Sequence, residues 1–308
     1  VTSDPTVSAP AVSTPAEVAL RDLATADSLL VALDFDGVLA PLQDDPSTSR
    51  MVPESAAAIA ALADLPRTRV ALVSGRDIAT LRRLSQAPDT AWLVGSHGAE
   101  AVLGSHGTEA EHEGGADGGD GADGGDAAAV RSPELTEAEA EMLAAIDAHL
   151  EAFEHTLPGG HGAADFLIEC KPYSRTVHTR GIAPEAAAAL HGHATEVVEE
   201  FPDIRVIEGH DITELAVKQA TKGDGIRLLV RAGEPTAVGY LGDDVTDEDA
   251  FAALDELTES CALDAGLSVK VGTAQTRAPW RIADPEAVAE LLDRLVAERT
   301  EFLRTVHG

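Results

Sequence analysis

Hydrophobic positions in this chain follow two alternating rhythms. Nearly unbroken apolar runs at Leu29–Leu33, Arg69–Val73, Trp92–Val94 and Thr236–Leu241 suit short strands buried on both faces of a parallel sheet, and Ser268–Val271 reads as a last short strand. Between them the period lengthens to that of a helix. Pro53 opens an Ala-rich stretch with Ile59, Leu62 and Leu65 on one stripe, and Ile78, Leu81 and Leu84 form the next. Further helices are expected over residues 223–232, 247–256 and 285–300. The rhythm breaks between residues 132 and 212. There Ser132-Pro133 and Thr136-x-x-Glu139 announce a helix with the stripe Leu143, Ile146, Leu150, Phe153 and Leu157. Residues 165–180 then alternate as two strands joined around Pro172. A helix runs from Pro184 to near Glu200, and residues 204–208 form a short strand. The expected fold class is α/β, with a Rossmann-like core and a parallel sheet built from residues 21–103 and 213–308. A smaller α+β cap domain, residues 132–212, is inserted between the core halves.

Two segments carry no period. Residues 1–20 begin with a run of Ser, Thr, Pro and Val and are expected to be a disordered tail. Residues 104–131 enclose Gly-Gly-Ala-Asp-Gly-Gly-Asp-Gly-Ala-Asp-Gly-Gly-Asp, starting at Gly114. A calcium-binding β-roll repeat needs an apolar residue that is missing here, so an acidic, flexible insertion is expected.

Composition removes several function classes. The 308 residues carry 54 acids against 22 bases, a net charge of −32. Such a field repels nucleic acid and anionic membrane surfaces, so neither is an expected partner. No apolar run reaches the length of a membrane span, and the first residues lack the basic and apolar regions of a signal peptide. Cys170 and Cys261 show no CxxC or Cys/His spacing, which points to a reducing compartment and no structural zinc. A cytoplasmic location is expected, with Cys170 packed in a core. His106, His112, His155, His161, His191, His193 and His307 show no metal spacing in the sequence and are assigned no role.

The apolar runs end in polar tips, and these carry the candidate chemistry. The first stops at Asp34-Phe-Asp36-Gly37, where strand alternation starts both carboxylates on the same side and Gly37 permits an immediate turn. The second ends in Ser74-Gly75-Arg76, and a later one in Gly242-Asp243-Asp244 with Asp247 close behind. Lys222-Gly223 places a cation at a helix start. Carboxyl ends of strands are where open α/β sheets bind ligands. Carboxylates from two strands can hold Mg²⁺, a hydroxyl and an ammonium can hold phosphate oxygens, and one Asp remains to attack phosphorus. Because the whole chain repels a phosphate, cations near the site must be local, which singles out Arg76 and Lys222. Read blandly, Asp247, Glu248 and Asp249 follow Thr246 as a capped, dipole-matched helix start.

Taken in order, Asp34-x-Asp36-Gly37, Ser74, Lys222 and Gly242-Asp-Asp-x-x-Asp247 resemble the motifs of the haloacid dehalogenase (HAD) phosphatase superfamily. Within it, Leu33-Asp-Phe-Asp-Gly-Val-Leu-Ala-Pro41, Val73-Ser-Gly-Arg76, Ser96-His-Gly-Ala-Glu100 and the stretch Gly242–Phe251 are similar to the trehalose-6-phosphate phosphatase family. The resemblance covers essentially residues 27–300, and the acidic Gly-rich stretch does not belong to its pattern. It implies an HAD core whose cap lies between the second and third motifs, and Mg²⁺-dependent hydrolysis of trehalose 6-phosphate, a small sugar phosphate. Asp34 would be the nucleophile, and Asp36 the acid for the leaving oxygen and then the base for water. Ser74 and Lys222 would bind the phosphoryl group. Asp34, the main-chain carbonyl of Asp36, and Asp243 would hold the metal, with Asp244 and Asp247 supporting. Arg76, His97, Glu169, Lys171, His178, Arg180, Glu208 and Glu214 would read the substrate.

The cap strands have a physical reading of their own. Glu169 and Lys171 share one strand face while Phe166, Ile168 and Cys170 share the other. A four-residue loop over residues 172–175 would pair Lys171 with Thr176 and Glu169 with His178, adding His178 and Arg180 to the polar face. That face is either a sugar-reading surface or simply the solvent side of an antiparallel sheet. Other capped sugar phosphatases, of sucrose-phosphate or glycosyl-phosphoglycerate type, stay open at this point, as does a phosphosugar sensor without catalysis.

Overall fold

The computed structural model describes residues 15–104, 129–156, 167–209 and 211–307. Its centre is β1 (Leu29–Leu33), five apolar residues all buried. It is flanked in parallel by β2 (Thr68–Val73) and β10 (Ala237–Gly242), so that Leu33 lies beside Leu72 and Leu241. Among the described residues the sheet has eight strands. Beyond β2 lie β3 (Trp92–Gly95), β4 (Glu100–Leu103) and β5 (Ala129–Arg131), and beyond β10 lie β11 (Ala265–Val271) and β12 (Trp280–Ile282). All pairings are parallel except those of β4 and β5, which close one edge in antiparallel fashion. Helices α1 (Pro15–Ala24), α2 (Pro53–Ala63), α3 (Ile78–Ser85) and α8 (Pro285–His307) cover one face, through Leu20, Ile59, Leu81 and Leu292 among others. Helices α6 (Lys222–Gly233) and α7 (Asp247–Glu259) cover the other, through Ile226, Leu229, Phe251 and Leu254. Burial on both faces explains the unbroken apolar runs.

The inserted cap is a four-stranded antiparallel sheet of β6 (Leu167–Lys171), β7 (Ser174–His178), β8 (Arg205–Gly209) and β9 (Ile212–Ala216), in the order β6-β7-β9-β8. Helices α4 (Glu137–Thr156) and α5 (Pro184–Glu196) pack on one side of it around Ile146, Leu150, Val177, Ala194 and Leu215. The Thr136/Glu139 capping box is formed, with Glu139 N–H donating to Thr136 Oγ1 at 3.2 Å and Thr136 N–H to Glu139 Oε2 at 2.8 Å.

Several sequence expectations need correction. The tail is not unstructured as far as residue 20, because α1 starts at Pro15 and buries Leu20 and Leu23 against the sheet. The last three residues of the 104–131 segment form β5, paired with β4, whereas the acidic repeat lies outside the described residues. The cap does not end at residue 212. Strand β9 belongs to the cap sheet between β7 and β8, so the second core half begins beyond Ala216. The β6–β7 connection is the two residues Pro172 and Tyr173, giving Lys171↔Ser174 and Glu169↔Thr176. A slip of two preserves every face, so the polar surface survives the wrong register. Cys170 is exposed, since β6 is the cap sheet's edge strand. Thr246 makes no side-chain cap to α7.

Candidate active site

The carboxyl ends of β1, β2 and β10 meet α6 and α7 at one point. Asp34, the residue after β1, is buried; its Oδ1 accepts from the Phe35 N–H at 2.6 Å and its Oδ2 from Lys222 Nζ at 2.7 Å. Lys222 is the first residue of α6, whose start is fixed by the Thr221/Asp224 capping box. Its ammonium also donates to Asp247 Oδ1 at 2.7 Å. Asp247 is wholly enclosed and saturated. Tyr240 Oη donates to Oδ1 at 2.6 Å, and the Asp243 and Asp244 N–H groups donate to Oδ2 at 2.9 and 2.8 Å. Asp247 thus holds the turn after β10 and the lysine together. The resemblance gives Asp247 a supporting role, and its contact with Lys222 agrees with that; helix-dipole matching alone does not describe a side chain spent on this turn.

Charge in this cluster is unbalanced. Asp34, Asp243 and Asp247 bring carboxylate oxygens within 4.8 Å of one another, with Lys222 paired to Asp34 and Asp247 and the buried Lys270 close enough to act on Asp243. Burial, helped by the Asp247 and Asp243 charges, pushes Asp34 well above the ordinary carboxylate range, against the pull of Lys222. Burial and then Asp247 push Asp243 up to about 7. Burial alone would weaken the Lys222 ammonium, but Asp247 and Asp34 outweigh it and raise Lys222 instead. A hard divalent cation fits this oxygen-only donor set and would relieve the excess negative charge. Space is left for it by the backbone: at Gly37, with φ of +75°, a Cβ would fall 2.0 Å from Asp243 Oδ2.

Between core and cap lies a cleft of about 810 Å³. Every residue singled out from sequence lines it except Asp247, which lies beneath. Their partners differ from expectation, however. Arg76 is no free cation, for Nε and Nη2 fork onto Asp36 at 2.5 and 2.8 Å, and Nη2 also reaches Pro46 O at 2.9 Å and Ser49 Oγ at 3.1 Å. Ser74 Oγ accepts from the Arg76 N–H at 3.2 Å. Glu214 is buried among Ser174 Oγ at 2.6 Å, Lys171 Nζ at 2.7 Å and His97 Nε2 at 3.4 Å. Despite burial, Lys171 and then His97 hold the Glu214 carboxyl well below its usual range. Burial lowers His97, opposed by Glu214.

Two cap residues reach across to the core. Lys171 Nζ donates to Gly75 O at 3.2 Å, and Arg180 Nη1 donates to Gln43 O at 2.8 Å. Glu169 accepts from His178 Nε2 at 3.0 Å and is held low by that bond and by Lys171, against a larger effect of burial. Glu208 is exposed at the rim, and Asp244 lines the cleft beside Asp243. Sequence reasoning missed Thr176, whose buried Oγ1 has no hydrogen-bond partner and which faces the cleft between Glu169 and Glu214. It also missed Tyr240, although a tyrosine in an otherwise apolar buried strand signals a partner for its hydroxyl.

A Rossmann-like sheet with a carboxylate pair after its central strand and an inserted cap is the HAD fold. It matches the structure of the Candida albicans trehalose-6-phosphate phosphatase C-terminal domain with a TM-score of 0.73, at 20% identity, over 92% of this chain and 97% of that one. The trehalose-phosphatase family model matches residues 32–286, and the chain belongs to that family. A trehalose-phosphate phosphatase of Mycobacterium bovis is 28% identical over 299 residues, which are 92% of this chain and 66% of the relative. An uncharacterized glycosyl hydrolase of Mycobacterium tuberculosis is 30% identical over 306 residues, covering 92% of this chain but 19% of the relative. The chain therefore spans about a fifth to two thirds of the length of these curated relatives. Among the described residues, no helix is long and apolar enough to cross a membrane.

Proposed function

We propose that this chain hydrolyses trehalose 6-phosphate to trehalose and inorganic phosphate. One observation carries the reading: the Asp34–Lys222–Asp243 cluster lies at the floor of a cleft whose roof is the polar face of the cap sheet. The floor suits a phosphoryl group, whose transfer needs cations and donors around three charged oxygens. The roof suits hydroxyls, because Glu169, Thr176, His178 and Glu208 present acceptors and donors side by side.

In this mechanism Asp34 attacks phosphorus and forms an aspartyl-phosphate, while Asp36, which must take a proton and loosen the Arg76 fork before this step, gives that proton to the departing sugar oxygen. Arg76 then stabilises the Asp36 carboxylate so formed. In the second half Asp36 takes a proton from water, which displaces phosphate from Asp34. Ser74 and Lys222 hold the phosphoryl oxygens throughout. Asp34, Asp243 and the main-chain carbonyl of Asp36 would hold Mg²⁺, which supplies countercharge to the phosphoryl group. Cap closure through Lys171 and Arg180 excludes water during the first half. The chemistry and its absence of charged distal groups favour a disaccharide monophosphate of this kind over larger anions in a chain of −32.

Phosphate release from a panel of trehalose 6-phosphate, sucrose 6-phosphate, a glucosyl-phosphoglycerate and glucose 6-phosphate tests the reading. Trehalose 6-phosphate is expected to be turned over fastest, and glucose 6-phosphate far more slowly for want of a distal sugar. Equal efficiency on both would replace it by a generic phosphatase. Asp34→Asn should abolish turnover with the fold intact, since an amide is a poor nucleophile. Binding of trehalose 6-phosphate by the unaltered chain without phosphate release would favour the sensor reading.

A further inference from the structure

On the helical side of the cap, away from the cleft, α4 and α5 bring His149, His193 and Glu196 together. One potential ligand atom from each lies within 4.8 Å of the other two. His193 and Glu196 are one helical turn apart on α5, with Nδ1 of His193 at 3.0 Å from Glu196 Oε2. That separation is close to the spacing of two ligands on one metal ion. His149 arrives from α4 and stacks on His193, with ring centroids 4.2 Å apart and planes at 15°. Its Nε2 lies 2.7 Å from the His193 carbonyl oxygen. A carbonyl only accepts, so Nε2 carries the proton and the lone pair of a neutral His149 ring is on Nδ1. This is the outer hydrogen bond that metal-bound histidines use to fix their tautomer.

From this geometry we infer a transition-metal site on the cap, formed by His149 Nδ1, His193 Nδ1 and a Glu196 carboxylate oxygen. Two imidazoles and one carboxylate suit Zn²⁺, or Co²⁺ and Ni²⁺ as substitutes, and do not suit Mg²⁺. The site therefore differs in kind from the all-carboxylate cluster at Asp34. Stacked rings cannot both point a lone pair at one ion, so binding turns His193 about its Cβ–Cγ bond. Its proton moves to Nε2, and the direct bond from Nδ1 to Glu196 is replaced by a shared metal. The ion would clasp α4 to α5 across the back of the cap sheet. Linear spacing could not reveal this site, because its two histidines belong to different helices.

The test uses the tag-free full chain, stripped with chelator and titrated with Zn²⁺ in excess Mg²⁺, which occupies the carboxylate cluster. Co²⁺ absorption provides a second readout of imidazole ligation. One equivalent of Zn²⁺ is expected to bind and to raise the thermal midpoint. His149→Gln and His193→Gln should each weaken that binding by more than about 100-fold, beyond the 10- to 100-fold typical of outer-shell changes. Both variants should keep the basal phosphate release. No Zn²⁺ binding in the unaltered chain, or equal stoichiometry and affinity in both variants, would overturn the site.

Discussion

Arg76 grips Asp36 with both edges of its guanidinium, at 2.5 and 2.8 Å, while the same side chain holds Pro46 and Ser49 of the following loop. The cap reaches that loop too, through Arg180 on Gln43 O. Asp36 is thereby tied, through one loop, to the domain that closes over it. Arg76→Lys keeps the charge and loses the fork. Losing a charge-assisted hydrogen bond costs about 1.5–3 kcal/mol, so turnover should fall roughly 10- to 100-fold, on trehalose 6-phosphate and on p-nitrophenyl phosphate alike. An altered KM with unchanged kcat would mean that Arg76 serves binding alone.

Without a divalent cation the site should favour mild acid. Asp243 is pushed up to about 7 by burial and then by Asp247, and Asp34 moves in the same direction. Between an ordinary aspartate value near 4 and that value, the folded chain holds a proton that the unfolded chain has lost. Stability in chelator should therefore fall as pH rises from about 4 to 7, by at most about 1.4 kcal/mol per unit for Asp243. Above 7 this contribution should level off. Mg²⁺ affinity should rise over the same window, because the ion displaces that proton. Denaturation curves at several pH values check the first point, and Asp243→Asn should flatten the slope.

Thr176 offers a sharper probe of substrate reading than Glu169, Lys171, His178 and Arg180, which are partnered. Thr176→Val preserves shape and removes the unpartnered hydroxyl. If that hydroxyl meets a sugar, kcat/KM for trehalose 6-phosphate should drop by the worth of one hydrogen bond, about 0.5–1.5 kcal/mol or roughly 2- to 10-fold. Hydrolysis of p-nitrophenyl phosphate should be unchanged. A variant better on both substrates would show the hydroxyl to be a burden on packing.

Glu169→Ala removes the partner of His178 and should erode the preference for trehalose 6-phosphate over glucose 6-phosphate. Lys171→Ala is expected to do more, since Lys171 also neutralises buried Glu214 and touches Gly75. Leaving a buried charge unpaired costs about 3–5 kcal/mol, so this variant should lose cap stability as well as specificity. Hydrogen exchange in residues 167–216 distinguishes the two outcomes.

Arg299 is fully buried and donates to Thr68 Oγ1 and to the carbonyls of Ala24, Ala26 and Arg67. It fastens α8 to the end of α1 and the start of β2. Arg299→Met should cost at least about 3 kcal/mol, because several buried acceptors lose their donor at once. Phosphate release at low temperature should persist, as no contact of Arg299 reaches the cleft.

The elements with a strong period were legible in the sequence. Leu29–Leu33 and the stripes of α2 and α3 are dictated by burial, and burial writes itself into composition. The strand-tip acids were legible for a related reason, since polar residues ending apolar runs stand out. Partnership was not. Arg76 was read as a cation awaiting phosphate, but its partner Asp36 is 40 residues away. The core boundary at residue 213 cut through β9, because so short a segment does not say which sheet it joins. Strands β4 and β5 were missed because four and three residues are too few to show a period, and their pairing spans the acidic insertion. The turn at Pro172 was overestimated by two residues, an error that alternation conceals.

The place of β1 at the middle of the sheet has a consequence for how the chain is made. One of its flanks is β2, which follows it closely, but the other is β10, so that Leu29 waits for Ala237. At synthesis rates of about 5–20 residues per second, that delay is roughly 10–40 s. During it a ribosome-bound fragment exposes the open edge of its most apolar strand, and the cap, with its own sheet and helices, emerges before the core can close. The cap is therefore the first unit able to finish folding, and the nascent core is the part that needs protection from aggregation.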